Sequence, residues 1–557
     1  MHEEPEVGPP AEPAEGQRDA SLTAKALHGV KWTSLGTAVA ASLQLVFAAV
    51  MARLLTPEDF GLIAMAQLVL NFGDYFAKMG IGQALIQKLE LTAEEVRAGF
   101  TSSLLLGLAV TAVIWAGAPL AGGVFGTPDV VPVLRAMGLA LLLGSLGQTA
   151  EGLLHRGLRF RETSLIQMVS YVLGYFGVGL TMAVAGFGVW SLVGAALAQQ
   201  LLRSLLWYAR VRHSLRLTFA GDAYRALYSF GSRVSLISFL EYLGLNLDTF
   251  MVGRYLPTGA LGQYNRGNLL VQVPMYQLTD AVAQVAFPSF SQIQQDTDRA
   301  RRAYLSATGL AAAFLLPVCF GMAAASREIV LTVLGERWLP VITILPILAI
   351  NGSFLVLTHF AGIVTEAKAE LGKKLALQAG YLVVLVGMLL SVRSDELFVY
   401  ALVFAIGNVL QHAAYMVLMH RILGVSARDY GNVYGRAFVA AIATGGAISA
   451  VRMGLLAVGA PLTVVLAGEV LVGAVVLFAL FRYGPLQPMI ADLVSRLDGD
   501  DGGAVGRGAR LLLNPRNVLA QRVAAQQLDT EPVDDLVEPF EPIGAWYPPM
   551  RGELDPW

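Results

Sequence analysis

The chain is 557 residues long, 55% hydrophobic and only 14% charged, with a mean hydropathy of +0.59, where soluble domains carry roughly 25% charged residues. That balance excludes a water-soluble globular fold, and a formal net charge of −2 leaves no basic excess to bind nucleic acid. A single cysteine, Cys319, excludes a disulfide framework and a cysteine-based metal site.

The first twenty-odd residues, rich in Pro, Glu and Gly, are too polar for a signal peptide, and 1–28 reads as a disordered cytoplasmic tail. About fourteen apolar runs follow, near 30–54, 60–79, 98–120, 130–153, 163–185, 189–208, 228–252, 260–286, 303–325, 339–365, 375–392, 397–419, 437–457 and 461–481. Each approaches the ~20 residues that a hydrocarbon layer of about 30 Å demands. Lipid offers no partner to an open backbone amide, so each run must be a helix and the fold class is an all-α polytopic membrane protein. The expected divisions are a first lobe at 29–220 (helices 1–6), a second at 221–425 (helices 7–12), helices 13–14 at 426–483, and a polar, disordered cytoplasmic tail at 484–557. Lysine and arginine concentrate in the loops after even-numbered helices, such as Arg156, Arg159 and Arg161 or Lys368, Lys373 and Lys374. The positive-inside rule therefore expects both termini in the cytoplasm.

Between helices 1 and 2 runs ARLLTPEDFG, residues 52–61. Thr56 is a good N-cap, Pro57 suits the first helical position, and Asp59 stands where a capping box wants an acid. The stretch predicts a minimal hairpin turn. Its arginine, Arg53, and Leu55 and Gly61 each match the residue 201 positions on, at Arg254, Leu256 and Gly262, and the offset continues through Leu68 with Leu269 and Tyr75 with Tyr276.

Polarity follows the same offset. On helix 2, Gln67, Asn71, Asp74 and Lys78 recur at helical spacing along one face; on helix 8, Asn265, Asn268, Gln272, Tyr276 and Thr279 do likewise. One reading is polar glue between helices, including an Asp74–Lys78 pair. The other is a hydrated cavity between two six-helix lobes related by a pseudo-two-fold axis along the membrane normal, as in a transporter built from a repeat. Helix 7 adds Arg233, Glu241 and Asp248, three ionisable groups in one span, which favours a functional lumen. Arg452 on helix 13 and Glu469 on helix 14 lie at matching distances from the turn at Gly459–Pro461, so they are expected to pair.

No H-E-x-x-H or GxxxxGK[ST] occurs, and GFGVWS at 186–191 ends in Ser191 where a dinucleotide fingerprint wants Gly, so it reads as a tight turn. Metal, ATPase and dehydrogenase chemistry find no support, and an enzyme is not expected.

ARLLTPEDFG, LRFRETSLIQ followed by GFGVWSLV, and LDTFMVGRYLPTGALGQYNRGNLL with FPSFSQIQQD together closely resemble the polysaccharide or oligosaccharide flippases of the multidrug, oligosaccharidyl-lipid and polysaccharide exporter superfamily. The resemblance covers roughly residues 25–425. It implies a V-shaped bundle of two six-helix lobes, with helices 13 and 14 added, in the bacterial cytoplasmic membrane. The implied function is to move a lipid-linked glycan, typically an undecaprenyl-pyrophosphate oligosaccharide, between leaflets by alternating access. The implied partners are that glycan and membrane lipid, with a polysaccharide polymerase and glycosyltransferases as candidates beyond them. Candidate substrate contacts are Arg53, Gln67, Asn71, Asp74, Lys78, Arg233, Arg254, Asn268, Gln272 and Tyr276. Glu241 and Asp248 are the candidate couplers to a proton or sodium ion; no other cofactor is expected. A drug exporter of the same superfamily, or a membrane-embedded polymerase or glycosyltransferase, are the alternatives.

Overall fold

The computed structural model describes residues 36, 39–78, 81, 85, 91–219, 243–244, 246–273, 275, 296–392 and 394–487, and of Tyr75 and Lys78 the backbone only. Arg233, Glu241, Tyr276 and both expected tails lie outside the described residues. Helices in chain order are α1 (Val39–Leu54), α2 (Pro57–Lys78), α3 (Ala93–Phe125), α4 (Val130–Arg156), α5 (Phe160–Val184), α6 (Val189–Val211), α7 (246–255), α8 (258–273), α9 (Thr297–Ala324), α10 (Val341–Ala367), α11 (Leu371–Ser391), α12 (Leu397–Leu423), α13 (Ala427–Ala457) and α14 (Leu462–Tyr483). No strand occurs among the described residues. Ten of the helices, α3–α6 and α9–α14, are long and apolar enough to cross a membrane. The remaining four occupy expected positions but fall short of that length or hydropathy among the described residues, so the expected count of fourteen spans is not established.

Helix starts follow local capping chemistry. The Thr56 backbone N–H and hydroxyl both donate to Asp59 Oδ2, at 2.9 and 3.0 Å, while the Asp59 N–H donates back to Thr56 Oγ1 at 3.3 Å. Thr92 with Glu95 and Ser426 with Asp429 repeat this reciprocal box at the starts of α3 and α13. The turn between α5 and α6 has Gly186 and Gly188 in the left-handed region, at φ 82° and 54°, as its GFG sequence allows. Pro317 and Pro346 sit inside α9 and α10 without ending them.

The helices pack in two groups. In the first, α3 lies along α4, α4 along α6, and α2 against both α3 and α4; in the second, α9 packs on α13 and α10, and α10 on α12. A separate apolar core, including Leu70, Ile114, Leu134 and Val193, holds the first group. Among the described residues, no helix of α2–α6 runs packed along one of α9–α14.

The two groups meet where the α1–α2 and α7–α8 turns cross. A Cβ placed on Gly61 would fall 2.0 Å from the Thr258 carbonyl oxygen, and one on Gly262 would fall 1.9 Å from that of Pro57. These contacts are mutual images under the 201-residue offset, because Pro57 corresponds to Thr258 as Gly61 does to Gly262. Around them, Thr127 Oγ1 and Thr258 Oγ1 are 3.2 Å apart, and Phe125 meets Phe250 with ring centroids at 6.0 Å. The connector between α9 and α10, residues 325–340, completes the seal. Arg53 donates to the Thr332 carbonyl at 2.5 Å, the buried Trp338 indole donates to the Ala52 carbonyl at 2.9 Å, and the Trp338 ring meets Phe60 at 5.4 Å. We call this the closed end.

The expected pairing of Arg452 with Glu469 is not formed. Arg452 Nε instead lies 3.1 Å from Glu328 Oε1 on the same connector, and neither carboxylate oxygen of Glu469 has a hydrogen-bond partner. Depth along the α13–α14 hairpin matched the two residues, but the connector folds back beside Arg452 and supplies a nearer carboxylate.

Candidate functional site

Beneath the closed end, polar and aromatic side chains from both groups converge. Arg266 lies on α8 eight residues after Thr258, so roughly 12 Å below the closed end at a rise of about 1.5 Å per residue. Its guanidinium sits 4.4 Å from the Phe60 ring centroid across the interface, and one Nη donates to Asn265 at 2.8 Å. Its charge also acts on Tyr171 and Tyr175 of α5. Those two rings stack at 4.5 Å, and Phe47 of α1 meets Tyr175 edge-on at 4.8 Å. Tyr175 belongs to a π-helical segment, Val172–Gly179, within α5; such segments widen a helix locally and occur often at functional sites.

Arg203 of α6 also acts on Tyr175; it lies 5.0 Å over the Trp207 ring and donates to Gln200 at 2.5 Å. Asp74 and Glu151 both act on its charge, as does Tyr175. The Nε of Arg203 and the Nε of Arg266 are buried and have no hydrogen-bond partner. Guanidinium N–H groups form their strongest bonds with carboxylate or phosphate oxygens. An arginine held at membrane depth with a free donor is costly to keep. Two of them, one in each helix group and both acting on Tyr175, present idle cationic donors where the groups meet, with Asp74 and Glu151 as the acidic neighbours of Arg203.

The residues expected from the sequence distribute around this core. Gln67 Nε2 donates to Asn71 Oδ1 at 2.5 Å, so the α2 stripe forms an internal amide pair with Gln67 exposed and Asn71 half-buried. Asp74 acts on Arg203 rather than standing isolated. Gln272 is exposed and Asn268 half-buried on α8. The backbone of Lys78 continues the α2 face. Arg53 and Arg254 are both exposed at the closed end, Arg53 engaged with Thr332 and Arg254 lying 5.6 Å over the Tyr255 ring. Gln67, Asn71 and Asp74 thus lie on α2 and Asn268 and Gln272 on α8, beyond the crossing turns, while Arg53 and Arg254 lie at the closed end.

Asp248 heads a separate network in the second group. It accepts hydrogen bonds from the Tyr264 hydroxyl at 2.8 Å and from the Thr249 N–H at 2.6 Å, and Asn268 also contacts Tyr264. Its charge reaches Tyr381, whose hydroxyl donates to Asn408 at 2.7 Å, and Asn408 donates to Asn351 at 2.9 Å.

Arg203 and Arg266 are absent from the set expected by sequence. Both carried the signal of an ionisable residue inside an apolar run. Arg266 adjoins Asn265 but falls off the strict stripe spacing, and Arg203 follows Gln199 and Gln200 in AQQLLRSL.

A polysaccharide biosynthesis protein family matches residues 50–343, more than half of the chain and all of the repeat-bearing turns. The chain belongs to this family. Among curated relatives, the teichuronic acid biosynthesis protein TuaB of Bacillus subtilis is 27% identical over 70% of this chain and 81% of its own length. The lipopolysaccharide biosynthesis protein WzxC of Escherichia coli is also 27% identical, over 63% and 71%. The succinoglycan biosynthesis transport protein ExoT of Rhizobium meliloti is 29% identical over 59% and 66%. An inward-facing multidrug transporter of the MATE family and MOP superfamily shares the fold, with a TM-score of 0.53 and 18% identity over 69% of this chain and 95% of that one. This member of the polysaccharide biosynthesis family is therefore a multi-pass membrane protein of the MOP transporter fold.

Proposed function

We propose that this protein is a flippase that moves a lipid-linked oligosaccharide of the undecaprenyl-pyrophosphate type across the bacterial cytoplasmic membrane for cell-surface polysaccharide assembly. The observation that carries the reading is the pair of buried guanidinium donors without a hydrogen-bond partner, Arg203 Nε and Arg266 Nε, one from each helix group and both acting on Tyr175. A pyrophosphate held between them would bridge the two lobes. The amides of Gln67, Asn71, Asn268 and Gln272 would meet sugar hydroxyls, and the lipid tail would stay in the bilayer. No bond is made or broken, so the work is displacement and not catalysis.

The family and its curated relatives support the glycan class. The loop charge bias supports an orientation with the closed end outward and both termini in the cytoplasm. In that orientation the cleft opens toward the cytoplasm, where a lipid-linked precursor would be loaded. Asp248, which among the described residues accepts hydrogen bonds from hydroxyl and amide donors only, is the described candidate for coupling to a proton or sodium ion. A polymerase or glycosyltransferase would act before or after the transported glycan.

The test is deletion of the protein followed by assay of lipid-linked oligosaccharide in each leaflet. Accumulation on the cytoplasmic side, reversed by the wild-type chain, is expected. Unchanged glycan with impaired export of aromatic cations would favour the drug exporter instead.

A further inference from the structure

The most deeply buried carboxylates among the described residues lie away from the cleft, where the α13–α14 hairpin meets the connector between α9 and α10. Glu328 is 0% exposed and Glu469 1% exposed. Arg452 forms an ion pair with Glu328, Nε lying 3.1 Å from Oε1, but neither Glu328 oxygen accepts a hydrogen bond, and the Arg452 Nη1 donates instead to the Ala324 carbonyl at 3.4 Å. Neither oxygen of Glu469 accepts a hydrogen bond, yet the charges of Glu328 and Arg452 both act on it.

The charge balance of this cluster does not close. Three ionised groups would sum to one net negative charge, with both carboxylates buried and only Arg452 part-exposed, and an unpaired buried carboxylate bears its full desolvation cost. The other charged groups on the packed elements do not help. Arg327, Glu336 and Arg337 of the connector are exposed; α9 carries its charges near Thr297, and Arg428, Asp429 and Arg436 of α13, Glu366 of α10 and Arg482 of α14 lie toward the opposite helix ends. A bound metal cation would require several oxygen ligands, and no group of three or more acidic, histidine or cysteine side chains suited to one occurs among the described residues. A proton needs one oxygen.

We propose that Glu328 and Glu469 share a single proton against Arg452, forming a proton-binding site that acts on the closed end. The proton comes from water and returns to it; no other bond changes. The link to the closed end is covalent and short. The connector leaves Glu328, passes through the π turn Val330–Leu334, and delivers the Thr332 carbonyl to Arg53 and the Trp338 indole to Ala52. With the proton lost, two like charges oppose each other across the hairpin–connector contact, and the connector that carries the seal is pushed off α14. The proposal does not depend on the identity of the transported molecule.

Two measurements on the full-length protein in nanodiscs test it. The first is the infrared C=O band of protonated carboxyl groups, followed as pH is raised. Wild type should lose the band of one carboxylic acid that both Glu469→Gln and Glu328→Gln lack, because either change leaves one carboxylate for one guanidinium, and Arg452→Gln should gain a second. Each glutamine variant removes a charge and keeps the shape, so either one decides if the other does not fold. Persistence of the band in both glutamine variants, or its displacement by sodium at constant pH, would overturn a shared proton. The second is the distance between spin labels at Leu54 and Arg337, which flank the seal. It should lengthen with rising pH in wild type and stay short in Glu469→Gln; a pH-independent distance in wild type would overturn the link to the closed end.

Discussion

Arg203 and Arg266 each retain a donor that no protein group satisfies, although burial makes an idle donor expensive. Replacing Arg266 with Ala should reduce glycan export by tenfold or more while leaving folded protein in the membrane, since a hydrogen bond to a charged group is worth about 1.5–3 kcal/mol. Arg266→Lys should not restore it, because the ammonium lacks the planar face that lies on Phe60; export assays on both variants check this. Outside the spans, His213 is packed between Phe100 and Tyr208, each at 5.4 Å, and burial holds its imidazole below the usual histidine range, opposed by a contact to the Ser214 carbonyl. The folded chain therefore binds this proton less readily than the unfolded one. The stability tied to neutral His213 is present above the unfolded value of about 6.5 and is lost as pH falls through the lower folded value. His213→Phe should flatten the acid side of the thermal-stability profile, and an unchanged profile would contradict it. Residues of this kind were legible only as charges in apolar runs; the partners that give them meaning come from helices far off in sequence.

Elements were more legible than sites. The α1–α2 hairpin follows from Thr56, Pro57 and Asp59 alone, because capping is local chemistry, and Asp59→Ala should cost about 1 kcal/mol of stability by removing the reciprocal bonds. The offset of 201 residues also survives in three dimensions as the Gly61–Thr258 and Gly262–Pro57 contacts. Neither glycine accepts a methyl group while those carbonyls stay in place. Gly61→Ala or Gly262→Ala should therefore open the closed end, read as a longer distance between labels on the α1–α2 and α7–α8 turns. A distance equal to that of wild type would show that the seal does not need the close approach. The Arg452–Glu469 pairing failed at this same scale, since helix depth ranks candidates on the hairpin and says nothing about a connector that docks beside it.

At the scale of the molecule, composition and the spacing of apolar runs suffice for an all-α membrane bundle, because lipid permits little else. The cleft itself was not legible. The polar stripes on α2 and α8 stand in the sequence, but the aromatic pair Tyr171 and Tyr175 straddles the start of a π-helical segment whose phase no simple periodicity predicts. Thr127 and the 186–188 turn lie at the closed end with Thr258 and Asp59, whereas Arg210 and Arg159 pair with Glu162 at the opposite end. Cysteines introduced at Thr127 and Gly186 should thus label from outside the cell and one at Arg212 should not, with the native Cys319 buried and silent. Transport in this mechanism requires the two arginines to act together on a lipid-linked pyrophosphate. Its most direct test is the leaflet distribution of that lipid in reconstituted vesicles carrying wild type, Arg203→Gln, Arg266→Gln or both. Wild type should translocate it, each single variant should be strongly impaired and the double variant no worse than the weaker single, whereas full translocation by the double variant would contradict the account.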